Sequence, residues 1–419
     1  MSMTIHRRNL IAGTGGIALA ATLGGRRRAL AQTAGPIRIP YILPLSGPLA
    51  LLGGPIQMGA QITMEMINKS GGINGRPIEV IFRDDKLQPQ ESIAATREMV
   101  GAGYNIVCGG MTGPTALAMM DVVKEAKAIL LTTATGMPVT HELYSRYVFR
   151  AQDNEYQRLR AQARLAADRF ADVKMWGAVI NDTLTYKTSY ASFCKLVASY
   201  LTAQGKPVPK FAEPILAKMG GTDFRPLISQ ASAQGVDGIY HILAGSDSVT
   251  FWQQARGFGL TKSITAVMDQ TMDIPAGKAL RANLPPNLWS VSAWNPAIYK
   301  DNPLSKALYD GFVDRTKDAN PSGYLMFPHI PLLGIAAALR AAGGATDTET
   351  VIKAMEGLRF ETAKGPAEFR REDHQVIVDT CFINMVGQEQ EPGFSVANAY
   401  RIGGAELVEP ASPGVAFDL

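Results

Sequence analysis

Apolar and polar positions change their period within a short stretch near the start of the chain. Between residues 55 and 69 apolar side chains recur at helical spacing, which predicts an amphipathic helix. The Gly pair at 71–72 can end that helix with positive φ angles, and Asn-Gly at 74–75 supplies a tight turn. Over 78–83 apolar side chains alternate with polar ones, which predicts a strand. The pattern therefore indicates a helix that leads directly into a strand.

Strand and helix patterns continue to alternate through the first part of the chain. Further strands are predicted at 37–43, 105–109 and 128–132, and further helices at 89–101 and 114–126. Alternation of this kind is typical of a parallel sheet that is covered by helices on both faces.

A second series of the same kind begins after residues 147–150. It comprises helices at 155–169 and 187–203 and strands at 173–180, 236–243 and 263–268. Two doubly wound α/β units are the economical interpretation. In open sheets of this class ligands lie beyond the carboxyl ends of the strands, so two facing sheets would hold a ligand between them.

The composition is that of a large globular protein whose basic excess is confined to one end. The chain has 419 residues, a length typical of two or three domains, and 46% of them are hydrophobic. The formal net charge is +4, but residues 1–31 contain five arginines and no acidic residue. The rest of the chain is close to neutral. No block of like charge remains there to form a nucleic-acid surface or a polybasic membrane anchor.

The first 31 residues have the pattern of an export signal. Arg7-Arg8 precede a Gly/Ala-rich apolar run, and Ala-Leu-Ala at 29–31 matches the small-x-small site of a signal peptidase. The paired arginines, with three more at 26–28, favour the twin-arginine route over an ordinary basic amphipathic start. We therefore expect cleavage near Ala31 and a soluble product in the periplasm. No cysteine lies near the cut site, so a lipid anchor is not expected.

The sequence lacks the common signatures of catalysis. It contains no G-x-S-x-G, H-E-x-x-H, G-x-x-x-x-G-K-[ST] or C-x-x-C motif. GTGGIA at 13–18 satisfies a dinucleotide-binding pattern, but no strand precedes it. The five histidines are not spaced as local metal pairs. We expect no enzyme activity, no cofactor and no bound metal.

The three cysteines, Cys108, Cys194 and Cys381, are odd in number. At least one is therefore unpaired within the chain. One disulfide is compatible with an oxidising compartment, but ordinary buried thiols are the simpler interpretation.

The run PLSGPLALLGGPIQMGAQITMEMINKSGGINGRPIEVIFRDD, at 44–85, resembles the leucine/isoleucine/valine-binding protein family, the periplasmic receptors of branched-chain amino acid ABC importers. Shared features are a P-L-S-G loop, an I-N-x-x-G-G-I-x-G turn and a strand that ends in Asp-Asp. Further similar segments follow in the same order: GGMTGPTALA (109–118), VFRAQDNEYQ (148–157), NDTLTYKTSYASF (181–193), GGTDFRPLISQ (220–230) and REDHQ (371–375). The resemblance covers residues 36–400.

The resemblance implies a type I periplasmic binding protein, with two doubly wound parallel-sheet lobes joined by a three-crossing hinge. The crossings are expected near Phe149-Arg150, at 288–294 and at 361–369. The amino-terminal lobe would comprise 36–150 plus 290–364, and the carboxy-terminal lobe 151–289 plus 365–419. A hinge of three extended segments permits closure while both cores stay rigid.

On the first lobe, the resemblance places the ligand carboxylate against the loops after the third and fourth strands. The corresponding loops here are MTGPT and TTATG. Their amides and hydroxyls make Thr112, Gly113, Thr133, Ala134 and Thr135 the expected contacts, since backbone N–H groups at a helix start suit an anion. Many relatives have serine where this chain has Gly113. Either Thr112 substitutes for that hydroxyl, or the ligand carboxylate is held differently.

On the second lobe, the resemblance places Tyr186 over the ligand, although Lys187 replaces the glycine of the family motif D-x-x-Y-G. The acid that pairs with the ligand amine is expected at Asp269, with Gln270 as the neighbouring alternative. Asp153, just past the first crossing, is a second expected partner for an amine. A buried ammonium needs such a carboxylate because an unpaired buried charge is costly. Helix capping or solvent exposure is the alternative role for both acids.

The aspartates at 84–85 are expected to brace the loop beside them rather than to contact ligand. Branched-chain or similar aliphatic amino acids are the first expectation for the solute, aromatic carboxylates the second, and short amides or urea a further possibility within the family. A separate permease and ATPase are implied, because the chain has no nucleotide-binding motif. A periplasmic enzyme and a sensory receptor are the alternatives from other classes. A monomer suffices for closure on one ligand.

Overall fold

The computed structural model describes residues 35–47, 50–243 and 245–418, without the side chain of Leu51. The expected export signal, residues 1–31, lies outside the described residues. The chain alternates strands and helices as its sequence pattern predicts, and the α/β fold class is confirmed.

Within the described residues, five strands form the first sheet, which is parallel and has the order β2-β1-β3-β4-β5. The strands are β1 (Ile37–Leu43), β2 (Ile78–Asp84), β3 (Ile106–Gly109), β4 (Ile129–Thr132) and β5 (Val148–Arg150). The helices that connect the first four strands are α1 (Ala50–Lys69), α2 (Pro89–Gly101) and α3 (Gly113–Ala126). A 3₁₀ turn at Met137–Val139 follows β4. Helix α1 begins before the expected residue 55, with Pro55 inside it.

The second sheet is built mainly from the next series. Its strands are β6 (Met175–Asn181), β7 (Lys210–Phe211), β8 (Ile215–Ala217), β9 (Gly238–Ile242), β10 (Ala266–Asp269) and β11 (Leu288–Ser292). The helices are α4 (Glu155–Arg169), α5 (Leu184–Ala203), α6 (Arg225–Gln234), α7 (Ser246–Gly257) and α8 (Ile274–Leu280). Strands β11, β10, β9 and β6 pair in parallel in that order, and β7 and β8 both pair with β6. Their carboxyl ends therefore share one edge of the sheet.

The last third of the chain returns to the first lobe and then to the second. Its helices are α9 (Pro303–Thr316), α10 (Met326–Ala341), α11 (Thr348–Met355) and α12 (Gly404–Leu407), with a short 3₁₀ turn at Gly323–Leu325 before α10. Two further 3₁₀ turns, Leu260–Lys262 and Arg281–Asn283, belong to the preceding series. Strands β12 (Arg359–Thr362), β13 (Gly365–Phe369) and β14 (Val376–Ile377) form an antiparallel ribbon. Strands β15 (Thr380–Gly387) and β16 (Phe394–Ile402) extend the second sheet antiparallel to β11.

The helical stretch Gly323–Ala341 is long and apolar enough to cross a membrane, the one such stretch in the part of the chain that the structure describes. However, 72% of its apolar window is buried inside the protein. It packs closely on α1, where a Cβ added to Gly59 would lie 2.3 Å from the carbonyl oxygen of Leu325. This stretch is therefore a core element, and the glycine permits the close approach of the two helices.

Side-chain packing divides the chain between two lobes. Residues 37–151 and 294–381 contribute to the cores of the first lobe, whereas 159–291 and 382–407 contribute to the cores of the second. Trp294 lies in the first lobe and Trp289 in the second, so the chain changes lobes between them.

Packing favours a later third crossing than the expected 361–369. Phe369, Val376 and Cys381 all lie in the core of the first lobe, because the ribbon β12–β14 covers α10. The next residue, Phe382, lies in the core of the second lobe. The other lobe boundaries expected from the sequence remain predictions.

The end of the chain returns from α12 to the first lobe. His141 Nε2 lies 3.0 Å from a carboxylate oxygen of Glu409, and His141 Nδ1 lies 2.8 Å from the hydroxyl of Ser412. The backbone N–H of Gly414 donates to the carbonyl of His141 at 2.7 Å. Residues 409–414 therefore cross the hinge and fasten the second lobe's chain end to the first lobe.

The aspartates that end β2 have the bracing role expected of them. Asp84 accepts hydrogen bonds from the backbone N–H groups of Leu45 (2.9 Å) and Ser46 (3.2 Å), which fixes the loop after β1. Asp85 is buried and accepts from the hydroxyl of Ser92 at 3.0 Å. Both carboxylates hold loops at the carboxyl edge of the first sheet.

All three cysteines are free thiols. Cys108 and Cys381 are buried, and Cys194 is half-buried. Burial raises the pKa of the Cys194 thiol to about 12. The thiols are therefore poor nucleophiles in the folded chain.

Candidate functional site

A narrow apolar pocket lies at the carboxyl edge of the first sheet. Its walls come from β1, the loops after β3 and β4, and helices α1 and α10. The lining side chains are Tyr41, Ile42, Leu43, Ile56, Met111, Thr133 and Phe327, together with Gly109. This set, the apolar pocket from here on, is a closed crevice of mainly aliphatic and aromatic side chains. It has no free volume for a water molecule, so it would have to widen to take a ligand group.

A second pocket lies between the two lobes, beside the second crossing. The second lobe supplies Arg158, Gln270, Asp273 and Val291, and the first supplies Ser292, Ala293, Gly323, Tyr324 and Phe327. This set, the polar pocket from here on, shares Phe327 with the apolar pocket. The two pockets are therefore adjacent, one suited to an apolar group and the other to charged or hydrogen-bonding groups.

The first-lobe residues expected from the sequence lie in the two loops beside the apolar pocket. Thr133 lines that pocket. The backbone N–H of Thr112 donates to the hydroxyl of Thr115 at 3.1 Å, and that of Ala134 donates to the hydroxyl of Thr132 at 3.2 Å. These two amides are thus engaged within the chain, and the anion-binding role expected of them stays a prediction.

Thr135 and the following glycine are held from behind by Arg150, the last residue of β5. Its guanidinium donates to the carbonyl of Thr135 at 2.6 Å, to that of Gly136 at 2.7 Å and to the hydroxyl of Thr140 at 2.9 Å. Arg150 is fully buried, and burial lowers its pKa to about 10. The loop after β4 is therefore fixed by a buried cation at the first crossing.

Gly113, the first residue of α3, has open space around it. A Cβ at this position would meet no described heavy atom within 4 Å. We expect Gly113→Ser to change the free energy of unfolding by less than about 0.5 kcal/mol, measured by thermal unfolding. Gly110→Ser is the matched control. At Gly110 φ is +69° and a Cβ would lie 2.7 Å from Cα of Ala116, so a large destabilisation is expected. Equal losses in the two variants would contradict the expectation.

Asp269 ends β10 and is fully buried. Its carboxylate accepts from the backbone N–H groups of Thr271 and Met272 at 2.7 and 2.5 Å and from the hydroxyl of Ser290 at 2.8 Å. The ring Nδ1 of His241 lies 2.6 Å from its other oxygen. This arrangement favours a structural role for Asp269, and its expected pairing with a ligand amine stays a prediction.

Asp153 is also buried, and it is paired with a cation. Arg158 donates to one carboxylate oxygen at 2.9 Å, and the hydroxyl of Thr380 donates to the other at 3.0 Å. Burial by itself raises the pKa of Asp153, but the nearby charges of Arg158 and Lys364 outweigh it, so the pKa lies below its usual value. Asp153 therefore stays ionised and holds the guanidinium of Arg158.

Tyr186 stands in the first turn of α5 and is half-buried. The helix is capped by Thr183, whose hydroxyl accepts the N–H of Tyr186 at 3.2 Å. Burial raises the pKa of the Tyr186 phenol, with a further contribution from the charge of Glu155. Its position over a ligand stays a prediction.

Tyr324, from the first lobe, lies near residues of the second lobe, some of them expected from the sequence and some not. Burial raises the pKa of its phenol, and the charges of Asp273, Arg158, Asp269 and Tyr186 all act on it. All four of these side chains belong to the second lobe. Tyr324 therefore lies at the boundary between the lobes, where it lines the polar pocket.

The lobes contact each other directly across this cleft. Asp273 precedes α8 and accepts from the backbone N–H of Gly323 at 2.9 Å and from the hydroxyl of Ser322. Lys278 of α8 forms an ion pair with Asp318. These contacts join α8 of the second lobe to the segment between α9 and α10 of the first lobe.

Sequence reasoning missed Asp273, Arg158 and Tyr324. Asp273 stands four residues after Asp269 in the same segment, and Gln270, the alternative kept open, lines the polar pocket. Counting from the end of a strand could not show which carboxylate faces the cleft. Arg158 resembles an ordinary charged residue of a surface helix. Among the described residues, no group of three His, Cys, Asp or Glu side chains is arranged to hold a metal ion.

The family described as periplasmic binding protein matches residues 36–389 of this chain. A similar curated protein is the leucine-, isoleucine-, valine-, threonine- and alanine-binding protein of Pseudomonas aeruginosa. The two are 27% identical over 342 residues, which is 81% of this chain and 87% of the relative.

Solved structures share the fold. A branched-chain amino acid transporter substrate binding protein of Streptococcus pneumoniae, in complex with isoleucine, has a TM-score of 0.73 at 19% identity, over 88% of this chain and 99% of that one. A solute binding protein of an ABC transporter from R. palustris, in complex with benzoate, has a TM-score of 0.74 at 18% identity, over 91% and 100%. The chain thus has the type I periplasmic binding fold, and it belongs to the periplasmic binding protein family as a protein of the Leu/Ile/Val-binding type.

Proposed function

We propose that this chain is the solute-binding component of an ABC importer and that it binds a branched-chain or similar aliphatic amino acid between its lobes. The observation that carries the proposal is the adjacency of the apolar and polar pockets, which meet at Phe327. An aliphatic amino acid has one apolar end and one charged end, so it matches this division. Relatives that are known as leucine-, isoleucine- and valine-binding proteins support the same class of solute.

An aromatic carboxylate is the second candidate, because similar structures bind benzoate and 4-hydroxybenzoate. The polar pocket weighs against it. Asp273 lines that pocket with its carboxylate buried, and a ligand with only negative charge would bring no partner for it. A zwitterion would.

The proposed binding cycle uses the contacts across the cleft. The open form takes up the solute, and closure brings Asp273 onto Gly323 and Lys278 onto Asp318. A solute that binds better to the closed form shifts the population towards it by that difference in affinity. The closed surface is then the form that a membrane permease recognises.

The proposal includes a place and partners. The chain acts in the periplasm after removal of residues 1–31, as a monomer, and delivers its solute to a permease powered by an ATPase on a separate chain. It performs no catalysis. A sensory receptor would use the same cleft but would signal to a membrane kinase, so uptake assays in a strain lacking the protein distinguish the two roles.

The direct test is thermal unfolding of residues 32–419 with and without candidate solutes. We expect L-leucine, L-valine or L-isoleucine to raise the melting temperature, because a ligand at 100 times its Kd adds about 2.7 kcal/mol to the free energy of unfolding. Benzoate, 4-hydroxybenzoate, acetamide and urea are the comparison solutes. Stabilisation by the aromatic acids alone would move the assignment to the second candidate.

Tyr186→Ala tests the expected lid residue. We expect the affinity for L-leucine to fall by about 10- to 100-fold, since an aromatic ring over a ligand contributes one to three kcal/mol, roughly, by burial and packing. Isothermal titration calorimetry measures the change. Tyr200→Ala, near the other end of the same helix, is the control and should leave affinity unchanged. An unchanged affinity in Tyr186→Ala would remove this residue from the site.

A further inference from the structure

The last described residues make their contacts at the hinge. Leu407 of α12 is the last residue that packs into a hydrophobic core in the part of the chain that the structure describes. Residues 409–417, the hinge strap from here on, lie where the first crossing runs beside the segment that leads to the third. Arg150 and Gln375 pair there as a parallel β-bridge. The hinge strap is therefore an additional passage of chain between the lobes.

Glu409 is the first anchor of the hinge strap and is 1% exposed. Its Oε1 lies 3.0 Å from Nε2 of His141, in the first lobe, and accepts from Nδ2 of Asn154 at 2.7 Å. Asn154 caps α4 of the second lobe. Burial alone raises the pKa of Glu409, but the hydrogen bonds with His141 and Asn154 outweigh it, so the pKa lies below its usual value. An ionised carboxylate thus joins the two lobes.

Phe417 is the second anchor of the hinge strap. Its ring centroid lies 4.8 Å from that of His141, in the first lobe, and 4.9 Å from that of Tyr156, in α4 of the second lobe. Aromatic rings at such separations attract each other beyond what burial alone contributes. Because one ring belongs to each lobe, any movement that parts His141 from Tyr156 separates at least one of the two ring pairs.

The hinge strap has a restricted backbone between its anchors. Pro410 and Pro413 have a fixed φ, and each also restricts the residue before it to extended conformations. The residues before them are Glu409 and Ser412, and both contact the ring of His141. A segment with restricted backbone angles cannot adjust to keep all of these contacts when His141 moves relative to the second lobe.

We propose that the hinge strap is a conformational device that favours the arrangement in which the lobes touch across the cleft. In that arrangement Asp273 of the second lobe accepts from the backbone N–H of Gly323, in the first lobe, at 2.9 Å. The contacts of the hinge strap occur in the same arrangement, so their loss shifts the population away from it. The inference goes beyond the proposed function, because the device acts on the lobes whichever solute binds.

The backbone N–H of Gly323 reports on the lobe arrangement, since its acceptor belongs to the other lobe. It exchanges its hydrogen with solvent when the lobes part. Among the described residues, no hydrogen bond, ion pair or ring contact joins the hinge strap to residues 318–326. The amides of β1 and β9 are internal references, because each of these strands lies in the sheet of one lobe.

The test is hydrogen exchange of solute-free residues 32–419, measured by mass spectrometry. Phe417→Ala should raise the exchange rate at Gly323 by about 10-fold, because it removes both ring pairs, and it should leave β1 and β9 unchanged. Phe417→Tyr keeps the ring and should exchange like the unmodified chain. Val415→Ala is the matched control, since Val415 belongs to the same strap but is 59% exposed, and it should have no effect.

Two results would overturn the proposal. Unchanged exchange at Gly323 in Phe417→Ala would leave the hinge strap as a static fastening of the chain end. Equal acceleration at Gly323, β1 and β9 would show a general loss of stability instead of a shift between lobe arrangements. The measurement uses no solute, so its outcome is independent of whether L-leucine binds and is distinguishable from a failure of the proposed function.

Discussion

Asp269→Ala is expected to lower the free energy of unfolding of the second lobe by about 3–5 kcal/mol. The substitution leaves the hydroxyl of Ser290 and two backbone amides without their acceptor, and it leaves His241 without its carboxylate, all in a fully buried site. Urea unfolding followed by tryptophan fluorescence measures the loss. Trp176 and Trp289 report on this lobe.

Asp223→Ala is the matched control for that experiment. Asp223 lies in the same lobe but on the surface, paired with Arg225, and 47% of its side chain is exposed. We expect its loss to leave the urea midpoint of unfolding almost unchanged, because an exposed ion pair contributes little to stability. The structural role of Asp269 would be contradicted if Asp269→Ala unfolded at the same urea concentration as the unmodified chain and instead lost its affinity for L-leucine.

Arg150→Lys is expected to cost about 2–4 kcal/mol in stability and also to weaken ligand binding. Lysine keeps the positive charge but cannot reach the carbonyls of Thr135 and Gly136 and the hydroxyl of Thr140 together, as the guanidinium does. Those carbonyls belong to the loop after β4, beside the apolar pocket. A looser loop would therefore raise the Kd for L-leucine.

Thermal unfolding and calorimetry measure the two effects of Arg150→Lys. Arg146→Lys is the control, since Arg146 is exposed and forms its ion pair with Glu349 on the surface. It should change stability by less than about 1 kcal/mol. An Arg150→Lys protein as stable as this control would show that the carbonyls find other donors.

The order of secondary structure could be predicted from the sequence because local patterns encode it. Strands β1 to β4 and helices α2 to α5 lie within three residues of their predicted bounds. Helix α1 begins at Ala50, earlier than the predicted residue 55, and Pro55 lies inside it. The sequence placed β12 in the first lobe but β13 and β14 in the second, because their apolar residues could cover either core equally well by pattern alone.

The candidate site could be predicted only in part. The loops after β3 and β4 follow from the resemblance, and Thr133 lines the apolar pocket. The choice between Asp269 and Asp273 could not be made, because it depends on which carboxylate finds partners within its own lobe. Asp269 finds Ser290 on the adjacent strand, whereas Asp273 meets Gly323 only across the cleft. Such contacts depend on tertiary structure.

The threefold passage of the chain between lobes has a consequence for how the protein folds. The first core needs residues near 37 and near 381, and Thr63 reaches His329 across 266 positions. The second core is completed only by β15 and β16, near the end of synthesis. Contacts so distant in sequence make folding slow, because the entropy cost of closing long loops comes before the contacts that stabilise them. Neither lobe can be cut out as a contiguous fragment, and a nascent chain exposes an incomplete second core until β15 and β16 have emerged.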